Sequence, residues 1–125
     1  MNLPATIYAR FSNQEQAQGS SKARQLKLCR ELIAEKEWLL VDDRILFDEG
    51  LSAFSGANRA PGGKLHDFER RAEAGEFKGG HVLVVEHIDR ISRQGYDEVL
   101  PFVKKMTEVG VTVAVASGRR IYHAY

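Results

Sequence analysis

A single cysteine, Cys29, stands in the 125 residues, so no internal disulfide framework can brace this chain, and a reducing cytoplasm is its simplest setting. Long apolar runs are missing too, and nothing approaches the roughly 20 residues that span a bilayer. The opening Met1-Asn2-Leu3-Pro4 has neither the basic nor the apolar region of a secretory signal. No internal repeat or low-complexity tract interrupts the sequence. Charge of one sign is also scarce: 18 basic and 17 acidic residues leave a formal net charge of +1. A protein that grips DNA through its phosphates alone carries a clear basic excess. Near-neutrality therefore argues against a complete, stand-alone DNA-binding protein. It leaves open a domain whose few arginines converge on one phosphate, and equally a domain with no polyanionic partner.

What is present suits one soluble domain over residues 1–125, with 43% hydrophobic and 28% charged residues. Four segments read as strands: 5–9, then 38–41 resuming at 45–47, then 81–85 and 111–115. The last two are almost wholly apolar, as expected of strands covered on both faces. Helices are expected at 21–36, 63–74 and 96–108. Leu26, Cys29, Leu32 and Ile33 form the inward stripe of the first, which makes Cys29 a core residue rather than a reactive thiol. Leu65, Phe68 and Ala72 face inward on the second, and Val99, Leu100, Val103 and Met106 on the third. Pro101 requires the third helix either to start near Asp97 or to kink. The alternation predicts an α/β fold with a mostly parallel sheet and helices on both faces. Right-handed crossovers then gather the loops after each strand at one edge, where such sheets hold their sites. The polar segment 13–21 and the glycine-containing segment 49–63 read as mobile loops at that edge.

Two motifs fall at strand ends. Tyr8-Ala9-Arg10-Phe11-Ser12 closes the first strand, and alternation places Tyr8, Arg10 and Ser12 on one side. His87-Ile88-Asp89-Arg90-Ile91-Ser92-Arg93 follows the third, and a helical turn there would set Arg90 and Arg93 facing the same way. If the first and third strands are neighbours, one serine hydroxyl is surrounded by Arg10, Arg90 and Arg93. Phosphoryl transfer needs such a group: guanidinium groups stay charged and donate paired hydrogen bonds to phosphate oxygens as negative charge builds. A serine nucleophile keeps the bond energy in a phosphoseryl ester for later rejoining. Taken singly, each arginine is better explained by a surface carboxylate partner, and two motifs at neighbouring strand ends reverse that preference.

Tyr8-x-Arg10-x-Ser12 and Asp89-Arg90-x-x-Arg93 resemble the two signature motifs of the serine site-specific recombinases, the resolvase and invertase family. Asp48-Glu49-Gly50-Leu51-Ser52-Ala53-Phe54-Ser55-Gly56, followed by Arg59, is similar to the family's middle segment, in a version closest to phage integrase and transposase members. Gln25 matches a glutamine common early in the family's first long helix. The resemblance runs from about Thr6 to Val115. It implies a three-layer α/β/α resolvase-like domain with four to five strands, and a bacterial or phage-encoded enzyme that cleaves and rejoins DNA through a 5′-phosphoserine. Ser12 would be the nucleophile, and Arg10, Arg90, Arg93 and Arg59 would hold the phosphate. Asp89 would orient an arginine or protonate the leaving 3′-oxygen, and Gln25 would support the nucleophile loop. Neither a metal nor a small-molecule cofactor is implied. The partners would be DNA and further copies of the chain, as a dimer or tetramer of the full-length protein, with no membrane.

Some features depart from that pattern. Asn13 follows Ser12 where many members carry serine or threonine. The family's long dimerisation helix and DNA-binding module do not fall within the 125 residues, so the expectation is a fragment of a longer recombinase that cleaves little alone. Competing readings are weaker. A phosphorelay receiver lacks its acids after the first strand, and segment 13–21 has too little glycine for a nucleotide-binding turn. A metal-dependent nuclease would draw on Asp42, Asp43, Asp48 and Glu49. A non-catalytic assembly module of a recombinase is the remaining alternative.

Overall fold

The computed structural model describes residues 3–11, 21–49, 63–91 and 96–124. Along them run β1 (Pro4–Phe11), α1 (Ser21–Glu35), β2 (Leu39–Glu49), α2 (Lys64–Glu73), β3 (His81–Val85), a 3-10 turn (Ile88–Arg90), α3 (Tyr96–Glu108), β4 (Val111–Val115) and β5 (Arg120–Tyr122). The sheet order is β2-β1-β3-β4-β5. The first four strands are parallel and β5 returns antiparallel to β4. The predicted α/β fold is therefore present, and β1 and β3 are neighbours, as the candidate site requires.

Strand alternation divides the core in two. Ala5 and Ile7 of β1, Val82 and Val84 of β3 and Ala114 of β4 pack against Cys29, Leu32 and Ile33 of α1. Tyr8, Leu83, Val85 and Val113 face the other way, onto Leu65, Phe68 and Ala72 of α2 and Phe102, Val103 and Met106 of α3. β3 and β4 are buried along their whole length, which accounts for their unbroken apolar sequence. Gly110 joins α3 to β4 with φ +95°, and a Cβ there would lie 2.6 Å from the Phe77 carbonyl oxygen. That close approach lets the Gly110 carbonyl accept the His81 N–H at 3.1 Å, seating the start of β3.

One local expectation needs correction, and two others are made more specific. Leu100 is 47% exposed, and Phe102 is buried in its stead. Val99, Phe102, Val103 and Met106 form the i, i+3, i+4, i+7 stripe, and Leu100 lies about 100° off it. α3 spans Tyr96–Glu108, the expected range, with Pro101 inside it on an exposed position, past the first turn. β2 runs as one strand through the expected interruption. Its pairing with β1 jumps from Ala5–Leu40 to Ile7–Ile45, so the polar residues 42–44 occupy an irregularity that the chain crosses without leaving the sheet. β5, three residues long and only partly covered, had no sequence signal of its own. Of the segments read as loops, 13–21 and 49–63, Ser21 begins α1 and Glu49 ends β2, while residues 13–20 and 50–62 lie outside the described residues.

α2 starts without a cap of its own, because Gly63 occupies its N-cap position and has no side chain to offer. The cap comes from β2. Asp48, 4% exposed, accepts the Lys64 N–H at 2.9 Å on Oδ1 and the Leu65 N–H at 3.4 Å on Oδ2. Tyr8, wholly buried in β1, donates its hydroxyl to the same Oδ2 at 2.8 Å. One carboxylate thus joins β1, β2 and α2. Losing a cap costs about 0.5–2 kcal/mol, and leaving a buried hydroxyl unpaired costs about 1–3 kcal/mol. Asp48→Ala is expected to lower stability by about 2–4 kcal/mol in urea unfolding. Asp48→Asn, which keeps one acceptor, should lose less than half of that. A loss below about 0.5 kcal/mol for the alanine variant would contradict this role.

Cys29 has no exposed surface. Burial, aided by the nearby Glu86 carboxylate, pushes its thiol from 9.0 up to about 12. A raised acid pKa means that the unfolded chain releases this proton first, so stability is unaffected below pH 9 and falls as pH rises from 9 towards 12. The expected slope is about 1.4 kcal/mol per pH unit. It should be absent from Cys29→Ala, measured by urea unfolding across that range. At pH 8 a disulfide-exchange reagent should label Cys29 only in the unfolded protein. Rapid labelling of the folded chain would contradict the burial argument.

Candidate active site

The site edge is made where β1 outlasts β3. Their last paired residues are Tyr8 and Val85. β1 continues beside β2, pairing Arg10 with Asp48. The chain after β3 passes through Glu86 and His87 into the 3-10 turn. His87 is extended and caps that turn, its Nδ1 accepting the Asp89 N–H at 3.1 Å. His87 is therefore an exposed turn-former here, which gives it a structural task without proton transfer.

The turn and the strand end are tied by two arginines. Arg10 Nη2 donates to the Asp89 carbonyl at 3.3 Å. Arg90 Nη1 donates to the Arg10 carbonyl at 2.9 Å. Gln25, fully buried on α1, brackets the same residue: its Oε1 accepts the Arg10 N–H at 3.2 Å, and its Nε2 donates to the Arg10 carbonyl at 3.1 Å. Arg10 is 1% exposed and Arg90 7%. Guanidinium groups tolerate such burial only with acceptors and a counter-charge at hand. Glu86, 8% exposed, supplies the charge. Arg90 Nε donates to its Oε1 at 3.2 Å, and Arg24 Nε donates to its Oε2 at 2.8 Å. Among the described residues, Glu86 is thus shared by two guanidinium groups, one on each oxygen.

Of the residues expected at the site, Arg10, Arg90 and Gln25 come together. Asp89 is present through its carbonyl. Its carboxylate is 55% exposed, and His87 Nδ1 lies 3.6 Å from it. Ser12, Arg59 and Arg93 lie outside the described residues, as does Ser92. Tyr8 serves packing and the Asp48 bond. The acids of the nuclease reading do not form a ligand set among the described residues, where no group of three metal-ligating side chains gathers. Asp48 is committed to Tyr8 and the start of α2, and the side chains of 42, 43 and 49 are not described.

Arg24 and Glu86 escaped sequence reasoning. The available signal was a charged residue directly after an all-apolar strand, a place where a carboxylate must find cationic partners. Arg120 was missed as well. It lines a cleft of about 220 Å³ with His87, Ile88, Val115, Ser117 and Tyr122, beside the 3-10 turn.

Comparison with known proteins bears on the family and the fold. Residues 5–124 match the family described as Resolvase, N terminal domain. The uncharacterized protein YbcK of Escherichia coli K12 is 35% identical over 125 residues, covering 95% of this chain. The chain spans 23% of the length of that relative. Among solved structures, the N-terminal catalytic domain of TP901-1 integrase matches 94% of this chain and 81% of its own, with a TM-score of 0.71 and 20% identity. The C-terminal catalytic domain of ISC1926 TnpA, an IS607-like serine recombinase, matches 91% of this chain and 67% of its own, with a TM-score of 0.67 and 22% identity. At those identities the likeness is one of fold. The family match covers nearly the whole sheet and the arginine turn, and the chain belongs to the resolvase family, in which it corresponds to the N-terminal domain.

Proposed function

We propose that this domain performs the cleavage and rejoining steps of site-specific DNA recombination, with Ser12 as the nucleophile. The observation that carries the reading is the mutual fixing of Arg10 and Arg90 at adjoining strand ends, with Gln25 clamping the backbone two residues before Ser12. Family membership and the fold shared with serine recombinase catalytic domains support it.

On this reading Ser12 Oγ attacks the scissile phosphorus. The Oγ–P bond forms, the P–O3′ bond breaks, and the leaving 3′-oxygen takes a proton. A 5′-phosphoserine link remains, and a free 3′-hydroxyl from another strand later reverses the step, releasing the serine. Arg10, Arg90, Arg93 and Arg59 would stabilise the charge that gathers on the non-bridging oxygens. The Asp89 carboxylate is half-exposed beside His87, while only its carbonyl engages Arg10. On this reading that carboxylate either orients an arginine or serves the leaving 3′-oxygen. Partners are DNA and further copies of the full-length protein. The chemistry requires no metal on this reading.

The test uses full-length protein and a supercoiled plasmid carrying its recombination site. Wild type is expected to form a covalent DNA adduct that persists in a chelator and maps to Ser12 by mass spectrometry. Ser12→Ala should abolish it, and Arg90→Ala should slow it by about a hundredfold or more. The isolated 125-residue domain should cleave little. Cleavage by Ser12→Ala, or loss of wild-type cleavage on chelation, would refute the proposal.

A further inference from the structure

Arg24 and Gln25 are consecutive on α1, yet each holds a different strand end. Gln25 brackets the main chain of Arg10 at the end of β1, and Arg24 holds Glu86 just after β3. Glu86 in turn holds Arg90, whose Nη1 returns to the Arg10 carbonyl. The four side chains close a ring around the seam where the two strands end.

Resting on the recombinase reading above, we infer that Glu86 is a positioning residue for strand transfer: it sets the guanidinium plane of Arg90 and ties that plane to α1 through Arg24. The reason lies in the donors. Both arginines approach Glu86 by Nε, one on each carboxylate oxygen, at 3.2 and 2.8 Å. A guanidinium fixed at Nε and at Nη1 has no rotation left about its long axis, so its plane is set before any phosphate arrives. A nearly buried carboxylate beside a phosphate site also weakens the field that the phosphate feels. Its benefit must therefore come from orientation rather than from charge.

Glutamine cannot replace this arrangement. An amide has one acceptor oxygen, so it can serve Arg90 or Arg24, and its NH2 then faces the other guanidinium, donor to donor. Aspartate keeps two acceptor oxygens on a shorter stem. The Arg24 side chain is about half-exposed at 48%, so its link to Glu86 is the salt-sensitive member of the ring.

The experiment follows covalent adduct formation by the full-length protein on a plasmid carrying its recombination site, in single turnover, with rates normalised to folded protein and DNA affinity measured separately. Glu86→Gln is expected to slow the adduct step about 10–100-fold while changing DNA affinity less than about twofold. Glu86→Asp should recover at least about threefold over the glutamine variant. Arg24→Ala should slow the step about 3–10-fold and add little to Glu86→Gln in the double variant, because both break the same ring. In the NMR spectrum of the wild-type domain, the Arg90 Nε–H should exchange slowly with water, and in Glu86→Gln quickly. A wild type that forms no Ser12 adduct overturns the recombinase reading and this inference with it. If wild type forms the adduct and Glu86→Gln matches its rate, or loses rate only as it loses folded protein, the positioning role alone is overturned.

Discussion

The carbonyl oxygen of Arg10 accepts two hydrogen bonds, from Gln25 and from Arg90, and the edge of the domain is organised around that one atom. A strand end normally frays, because its last carbonyls have no neighbour to bond. Here β1 extends past the last residue that β3 pairs with it. The vacant bonding positions are filled by side chains from α1 and from the turn after β3. Both donors are buried, so water does not compete for the acceptor. Without this atom as a shared acceptor, α1 and the 3-10 turn would each lose a hydrogen bond that ties them to β1. With it, three segments far apart in sequence are held to hydrogen-bond tolerance.

Apolar packing determines which side chains can take part. The alternation that sends Ala5 and Ile7 towards α1 sends Tyr8 towards α2 and α3. Arg10 follows Tyr8 on the same side by the period of two, so a candidate site residue inherits its direction from the core beneath it. Tyr8 and Asp48 extend the arrangement one layer further. The hydroxyl of a core residue in β1 meets the carboxylate that starts α2. α2 is consequently anchored to the same strand that carries the arginine. The positions of β1 and α2 are coupled through a polar bond inside an otherwise apolar cluster, where an unpaired member would be costly.

Much of this was legible in the sequence, for physical reasons that can be named. The unbroken apolar runs of β3 and β4 follow from burial on both faces, and the stripe of α1 follows from burial on one. The Arg10 and Arg90 motifs could be placed at neighbouring strand ends because parallel topology and crossover handedness leave few alternatives. Other features were not readable. β5 is too short to show a pattern, and the gap in β2 looks in sequence like a strand break, although the ladder resumes beyond it. Leu100 was assigned inward because leucine usually is, whereas Phe102 fits the stripe better. Asp48, Arg24 and Glu86 act across the fold on residues 16 to 62 positions away. No local spacing encodes such pairs, and charged residues at strand ends read by default as solvated.

The pairing of charges also explains how a nearly neutral domain can belong to a family whose chemistry acts on a polyanion. Several of its described cations are paired within the domain: Arg71 with Glu76, Arg119 with Glu35, Lys105 with Glu73, Arg24 and Arg90 with Glu86. A cation already paired releases few counterions when DNA approaches, so it adds little to affinity. At the strand edge the arrangement is local and directional, with the guanidinium groups of Arg10 and Arg90 held by carbonyls of each other's segments. Such a surface suits one phosphate held in one orientation far better than a tract of DNA held loosely. On the recombinase reading, this edge contributes orientation of the phosphate rather than affinity for DNA.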